Sequence, residues 1–130
     1  MDDASAADRA LTALAEAGLD LTTIERHSGP DAAAAFDPTG AGHGVLARVR
    51  RAFEFSLMDQ LPDLAWYEAA ARDGRTVLSV PAPNTRAGRR AARVLQAAGA
   101  HFINRYGRFE TEDIVAWRGP EPEVDDLMKR

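Results

Sequence analysis

The sequence predicts one α+β domain, and three observations carry that expectation. Apolar residues recur at helical spacing over about 5–17, 44–60 and 85–98. The run Thr76-Val77-Leu78-Ser79-Val80, rich in β-branched residues, is bracketed by Gly74 and Pro81. Gly or Pro punctuates most of the junctions between these stretches. A chain of 130 residues suits one domain, and at that size roughly two thirds of the unfolded surface can be buried without disulfides or metals.

The first helix is expected over residues 5–17, where Ala7, Leu11, Leu14 and Ala15 form one stripe and Gly18 stops it. Leu19, Leu21 and Ile24, with Thr22 and Thr23 between them, are spaced for a strand ended by Ser28-Gly29-Pro30. Residues 29–44 lack periodicity and read as a flexible loop, with a turn of helix near 31–36. Val45, Leu46, Val49, Ala52, Phe53 and Leu57 follow i, i+3, i+4, i+7 and predict a helix over 44–60. Pro62 is expected to interrupt it and to open a second helix that runs to Arg72. Residues 76–80 form the clearest strand. Asn84 or Thr85 then caps a helix to about Ala98, and Gly99 ends it.

His101 to Tyr106 predicts a short strand, turned by Gly107. Residues 109–117 fit either a strand through Ile114-Val115-Ala116-Trp117 or a short helix capped by Thr111. From Gly119 onward the chain is acidic and Pro-bearing and reads as a poorly ordered tail, so the domain is expected over 1–118 and the tail over 119–130. This order resembles a ferredoxin-like sandwich that lacks its first strand and carries a helical hairpin in its middle. A sheet one strand short has an open edge, which is a template for pairing with another chain.

Three stretches carry a resemblance to a known family. They are Ala15-Glu16-Ala17-Gly18-Leu19 leading into 21–24, Ala65-Trp66-Tyr67-Glu68 leading into 73–80, and 95–100 followed by His101 to Phe109. Together they resemble the bacterial heat-induced or general stress protein domain over roughly residues 8–115. The resemblance implies the fold and a bacterial, stress-related setting. It implies no reaction and no catalytic residues. The family begins with a strand before its first helix, and residues 1–8 here are too short and too acidic to supply one.

Composition narrows the function classes. The net charge is −4, which argues against general nucleic-acid binding. There is no cysteine, so disulfides, thiolate metal sites and a thiol nucleophile are excluded. Neither a signal peptide nor an apolar run of membrane length is visible, and a cytoplasmic setting is expected. Basic residues are nearly all arginine, Lys129 being the single lysine.

The densest polar cluster is His101, Asn104, Arg105, Tyr106 and Arg108, followed by Phe109, Glu110 and Glu112. On a strand, His101, Ile103 and Arg105 would share one face and Phe102, Asn104 and Tyr106 the other. The cluster can be read as a ligand or interface site in which His101 and Tyr106 line a pocket and an arginine holds an anion. A catalytic version makes His101 a base oriented by Glu112. The plain alternative is an edge strand whose polar tips reach solvent or backbone.

Arg86, Arg89, Arg90 and Arg93 fall at i, i+3, i+4 and i+7 and form a stripe, either a partner contact or the solvated back of a helix. Phe55 and Trp66 are candidates for a second contact patch, against ordinary packing between helices. Gly40 to Gly44 precedes a helix but lacks a phosphate-loop ending. His27, His43 and His101 share no ligand spacing, so no metal site is expected, and no cofactor is indicated. No nucleophile motif stands out. A non-enzymatic role through self-association or a protein partner therefore fits better than catalysis, the other reading being a domain that binds a small molecule or anionic cofactor.

Overall fold

The structure, a computed structural model, describes residues 1–33, 57–107 and 110–129. In chain order it contains α1 (Ala4–Glu16), a 3-10 turn (Leu21–Thr23), β1 (Glu25–Ser28), α2 (Pro30–Ala33), α3 (Leu57–Arg72) and β2 (Thr76–Ser79). Then come α4 (Thr85–Ala97), β3 (Ile103–Tyr106), β4 (Thr111–Val115) and a second 3-10 turn (Asp126–Met128). The α+β class is as expected.

The long helices begin and end by local chemistry. Asp3 caps α1, its carboxylate accepting the Ala6 N–H at 2.7 Å, and the Asn84 amide oxygen accepts the Ala87 N–H of α4 at 2.9 Å. At the other end one device recurs. Gly18, Gly74 and Gly99 take φ of +82°, +82° and +90°, which lets the next residue's N–H bond back to a carbonyl of the last turn, as Leu19 does to Leu14 at 3.0 Å.

Three expectations need correction, and one open alternative is decided. The strand foreseen from Leu19 to the Ser28-Gly29-Pro30 stop begins only at Glu25. Asp20 accepts both the N–H and the hydroxyl of Thr22, at 2.9 and 2.7 Å, and this side-chain turn overrides the extended preference of the threonines. Pro62 does not break the helix, because α3 runs continuously through it from Leu57 to Arg72. Proline removes one ladder donor there, and the helix continues on both sides of it. The ambiguous stretch before Trp117 resolves as β4, which pairs antiparallel with β3. Among the described residues the strands make no single sheet: β1 pairs with β2, and β3 with β4. The glycine-rich loop and the helix foreseen before residue 57, with Phe53 and Phe55, lie outside the described residues.

The chain divides into two compact units. One comprises Met1–Arg26 and Leu78–Glu121, the other His27–Val77 and Pro122–Arg130. In the first, α1 lies on α4 through Ala10, Leu14, Ala91 and Leu95, with Ala100 beside them. Alanines at the contact let the helix backbones come close, and the leucines fill the space left. Burying each leucine contributes about 1.5–3 kcal/mol. Ile24, Leu78, Val80 and Ile103 pack onto this cluster from the strand side.

In the second unit α2 and the C-terminal 3-10 turn both pack on α3. Leu64, Trp66, Ala69 and Ala70 are buried there. The acidic stretch expected as a loose tail includes a buried Pro122, and the carbonyl of Met128 accepts the Trp66 indole N–H at 3.1 Å.

The β3–β4 hairpin is closed by Gly107, whose N–H donates to the Glu110 carbonyl at 2.7 Å. Its register pairs Asn104 with Asp113, Arg105 with Glu112 and Tyr106 with Thr111, and shifts between Ile103 and Asn104. Just before β3, Phe102 has φ of 51°, a conformation costing a bulky residue on the order of 1–3 kcal/mol. Its burial, an edge-on contact with Trp117 at 5.4 Å and an N–H bond to the Ala116 carbonyl at 3.1 Å offset that strain.

Candidate functional site

The polar cluster foreseen around His101 and Arg105 separates into two sites on either side of that kink. Positive φ at Phe102 ends the strand alternation, so His101 does not share a strand face with Ile103 and Arg105.

Arg105 occupies the β3 side that faces α4, its side chain 12% exposed. Its aliphatic stem crosses Gly88 of α4 so closely that a Cβ there would stand 3.0 Å from its Cδ. The guanidinium donates to Glu110 at 2.5 Å and, through Nε, to Glu112 at 2.9 Å. Glu112 in turn accepts Arg89 Nε with both oxygens, at 3.1 Å each. The two carboxylates raise the Arg105 pKa further, Glu110 contributing most. The Glu112 pKa is lowered, first by Arg89 and then by Arg105. Two arginines and two glutamates thus neutralise one another, and the guanidinium expected to hold a ligand's anion already holds Glu110 and Glu112.

His101 is buried, 8% exposed. The backbone N–H of Arg118 donates to its Nδ1 at 3.2 Å, which makes Nδ1 an acceptor. Nε2 therefore carries the ring proton and donates to the Asp2 carboxylate at 2.9 Å. The Trp117 ring meets the imidazole edge-on at 5.2 Å. Both ring nitrogens are occupied, and the orienting carboxylate is Asp2 rather than Glu112, so the expected base–orienter pair does not form. Asn104 and Tyr106 lie on β3, half-buried, while Arg108 and Phe109 lie outside the described residues.

The arginine stripe on α4 is exposed, but its members differ. Arg89 belongs to the Glu112 network. Arg90 donates to the Ala17 carbonyl at 2.7 Å, covering the C-terminal end of α1, where a cation is favourable to the helix dipole. Among the described residues, Arg86 and Arg93 make no ion pair. Half the stripe is thus structural, which weakens it as a phosphate-binding surface. Trp66, foreseen on an exposed patch, is 4% exposed inside its unit.

Sequence reading missed Asp2 as the partner of His101 and the double role of Glu112. No local signal announces either, because Asp2 and His101 are 99 positions apart and Arg89 and Glu112 are 23 apart. Among the described residues no cluster of acidic and histidine side chains is placed to hold a metal ion, and no helix is long and apolar enough to cross a membrane. No protein-family model, curated protein or solved structure matches this chain.

Proposed function

We propose that this chain is a non-enzymatic binding domain that accepts an extended segment of another chain, either a second copy or a protein partner, into an incomplete sheet. The observation that carries the reading is that, among the described residues, the four strands form two separate pairs, β1 with β2 and β3 with β4. A strand edge offers a row of N–H and C=O groups whose bonding is completed by an added strand. Both strand pairs serve one core, since Leu78 of β2 and Ile103 of β3 pack on the same α1–α4 cluster. On a ferredoxin-like plan the strand that precedes the first helix runs between the strands corresponding to β2 and β3. The segment we propose occupies that central place, and the likeness to the stress-protein domain suits such an assembly role in the cytoplasm.

The reading of this region as a site for a small molecule or anionic cofactor has less support. An incoming anion would have to displace Glu110 from Arg105, and both nitrogens of His101 are already engaged.

Light scattering after size exclusion, combined with hydrogen exchange, tests the proposal. Association should grow with concentration, and peptides covering 76–79 and 103–106 should gain protection as it does. A chain that stays monomeric at every concentration, with those strands fully protected when dilute, overturns the reading.

A further inference from the structure

We propose that His101 is an acid-sensitive latch: on taking up a second ring proton it releases the Arg118 N–H, and with it the stretch that leaves β4, while keeping its hold on Asp2. Every contact involved lies within the first unit, and the latch does not depend on the strand-edge reading.

One imidazole joins three parts of the chain. Asp2 precedes α1, Trp117 and Arg118 follow β4, and His101 lies just before the kink at Phe102. The two ring nitrogens play opposite parts. Nδ1 accepts the Arg118 N–H at 3.2 Å, which only a ring without a proton at that nitrogen can do. Nε2 meets the Asp2 carboxylate at 2.9 Å, a partner that binds a charged imidazolium more strongly than a neutral ring. The two partners therefore call for different protonation states. An imidazolium carries an N–H on both nitrogens, so two donors would face each other across the 3.2 Å between Nδ1 and the Arg118 nitrogen. That bond has to open, while the bond to Asp2 gains charge.

The charges around the ring come from separate elements. The segment before α1 supplies Asp2, whose neighbour Asp3 is engaged at the α1 cap. The stretch after β4 presents the backbone of Arg118 and the uncharged ring of Trp117. Beyond the kink, Arg105 of β3 is held by Glu110 and Glu112. Gly99 and Ala100, which lead in from α4, carry no charge.

Arg118 is an exposed residue, so its freed N–H has water within reach. The neighbouring contacts are set to follow. The Ala116 carbonyl holds the strained Phe102 through its N–H at 3.1 Å, and Trp117 packs edge-on against both Phe102 and His101. Loosening 116–118 weakens the support that keeps Phe102 at φ of 51°. A histidine proton thus biases a strained segment, which is the physical content of a pH switch.

The test is a titration of the full chain from about pH 8 to about pH 5, the range in which histidine changes charge. Nitrogen NMR follows the His101 ring while hydrogen exchange follows the Arg118 amide and fluorescence follows Trp117. Nδ1 should gain the proton. Over the same transition the protection factor of the Arg118 amide should fall about 2- to 10-fold, the worth of one net hydrogen bond. Trp117 emission should shift with the same midpoint. Asp2→Asn keeps an acceptor for Nε2 but removes its charge, and should move all three midpoints together to lower pH. His101→Gln should abolish the Trp117 transition; if that variant does not fold, the Asp2→Asn shift decides.

A ring that gains no proton over this range, an Arg118 amide whose protection holds while the ring titrates, or a midpoint that Asp2→Asn leaves in place each overturns the proposal. So does a Trp117 transition that survives in His101→Gln. The latch signals should be the same at every protein concentration, whereas protection of 76–79 and 103–106 on association should grow with it, so the two readings fail separately.

Discussion

Replacing Gly88 with alanine sets two effects of known direction against each other. Gly88 is an interior residue of α4, and its N–H already donates to the Asn84 carbonyl at 3.0 Å. Alanine in a helix interior is favoured over glycine by about 0.8–1 kcal/mol, somewhat less close to an end. The new methyl, however, would stand 3.0 Å from Arg105 Cδ, 3.5 Å from its Cγ and 3.7 Å from the Ala82 Cβ. Arg105 must retreat by several tenths of an ångström to restore ordinary contact. Its guanidinium is tied to Glu110 and Glu112, so the retreat stretches those bonds.

In the wild-type background Gly88→Ala should therefore add less than half of the helix gain. In an Arg105→Ala background it should add the full amount, about 1 kcal/mol, a rise in Tm of about 3–6 °C for a chain of this size. Urea unfolding of the four proteins in this double-mutant cycle measures the coupling directly. An equal gain in both backgrounds would show that Arg105 does not lie over Gly88, and the account of the network would fall.

Three other outcomes are expected. Asn84→Ala removes the α4 cap and should cost about 1 kcal/mol in urea unfolding, with Asn84→Asp close to the wild type. Glu112 has its pKa lowered in the folded protein, so its contribution is complete above the ordinary glutamate range and is lost as pH falls through the lowered value. The stability gap between the wild type and Glu112→Gln should accordingly hold steady at neutral pH and shrink in acid. A gap that widens in acid contradicts the assignment. His101→Leu leaves the Arg118 N–H without its acceptor and should destabilise by about 1–3 kcal/mol while shifting Trp117 fluorescence. Unchanged emission and stability would mean that the imidazole is not clamped as described.

Local chemistry was legible in the residues themselves. Asn84 before Thr85, the glycines after each long helix, and the β-branched run at 76–79 mark their elements through bonds spanning only a few positions. Where two local preferences competed, the sequence left the outcome open. Asp20 could bond Thr22 only by giving up extended backbone, and nothing in the one-dimensional pattern ranks that bond against β propensity. Residues 111–115 were equally undecided until β3 offered them a ladder.

The site depended still more on the third dimension. The order of residues alone places His101 and Arg105 in one polar stretch, makes arginine the source of the cations and rules out thiol chemistry. The meeting of Asp2 with His101, the bridge that Glu112 makes from Arg89 to Arg105, and the room that Gly88 leaves for the arginine stem arise only in the folded chain. The difference is one of range. Caps and turns are set by groups a few bonds apart, whereas an ion pair or a close approach between distant residues exists only once packing of α1 on α4 and of α4 on β3 has brought them within reach.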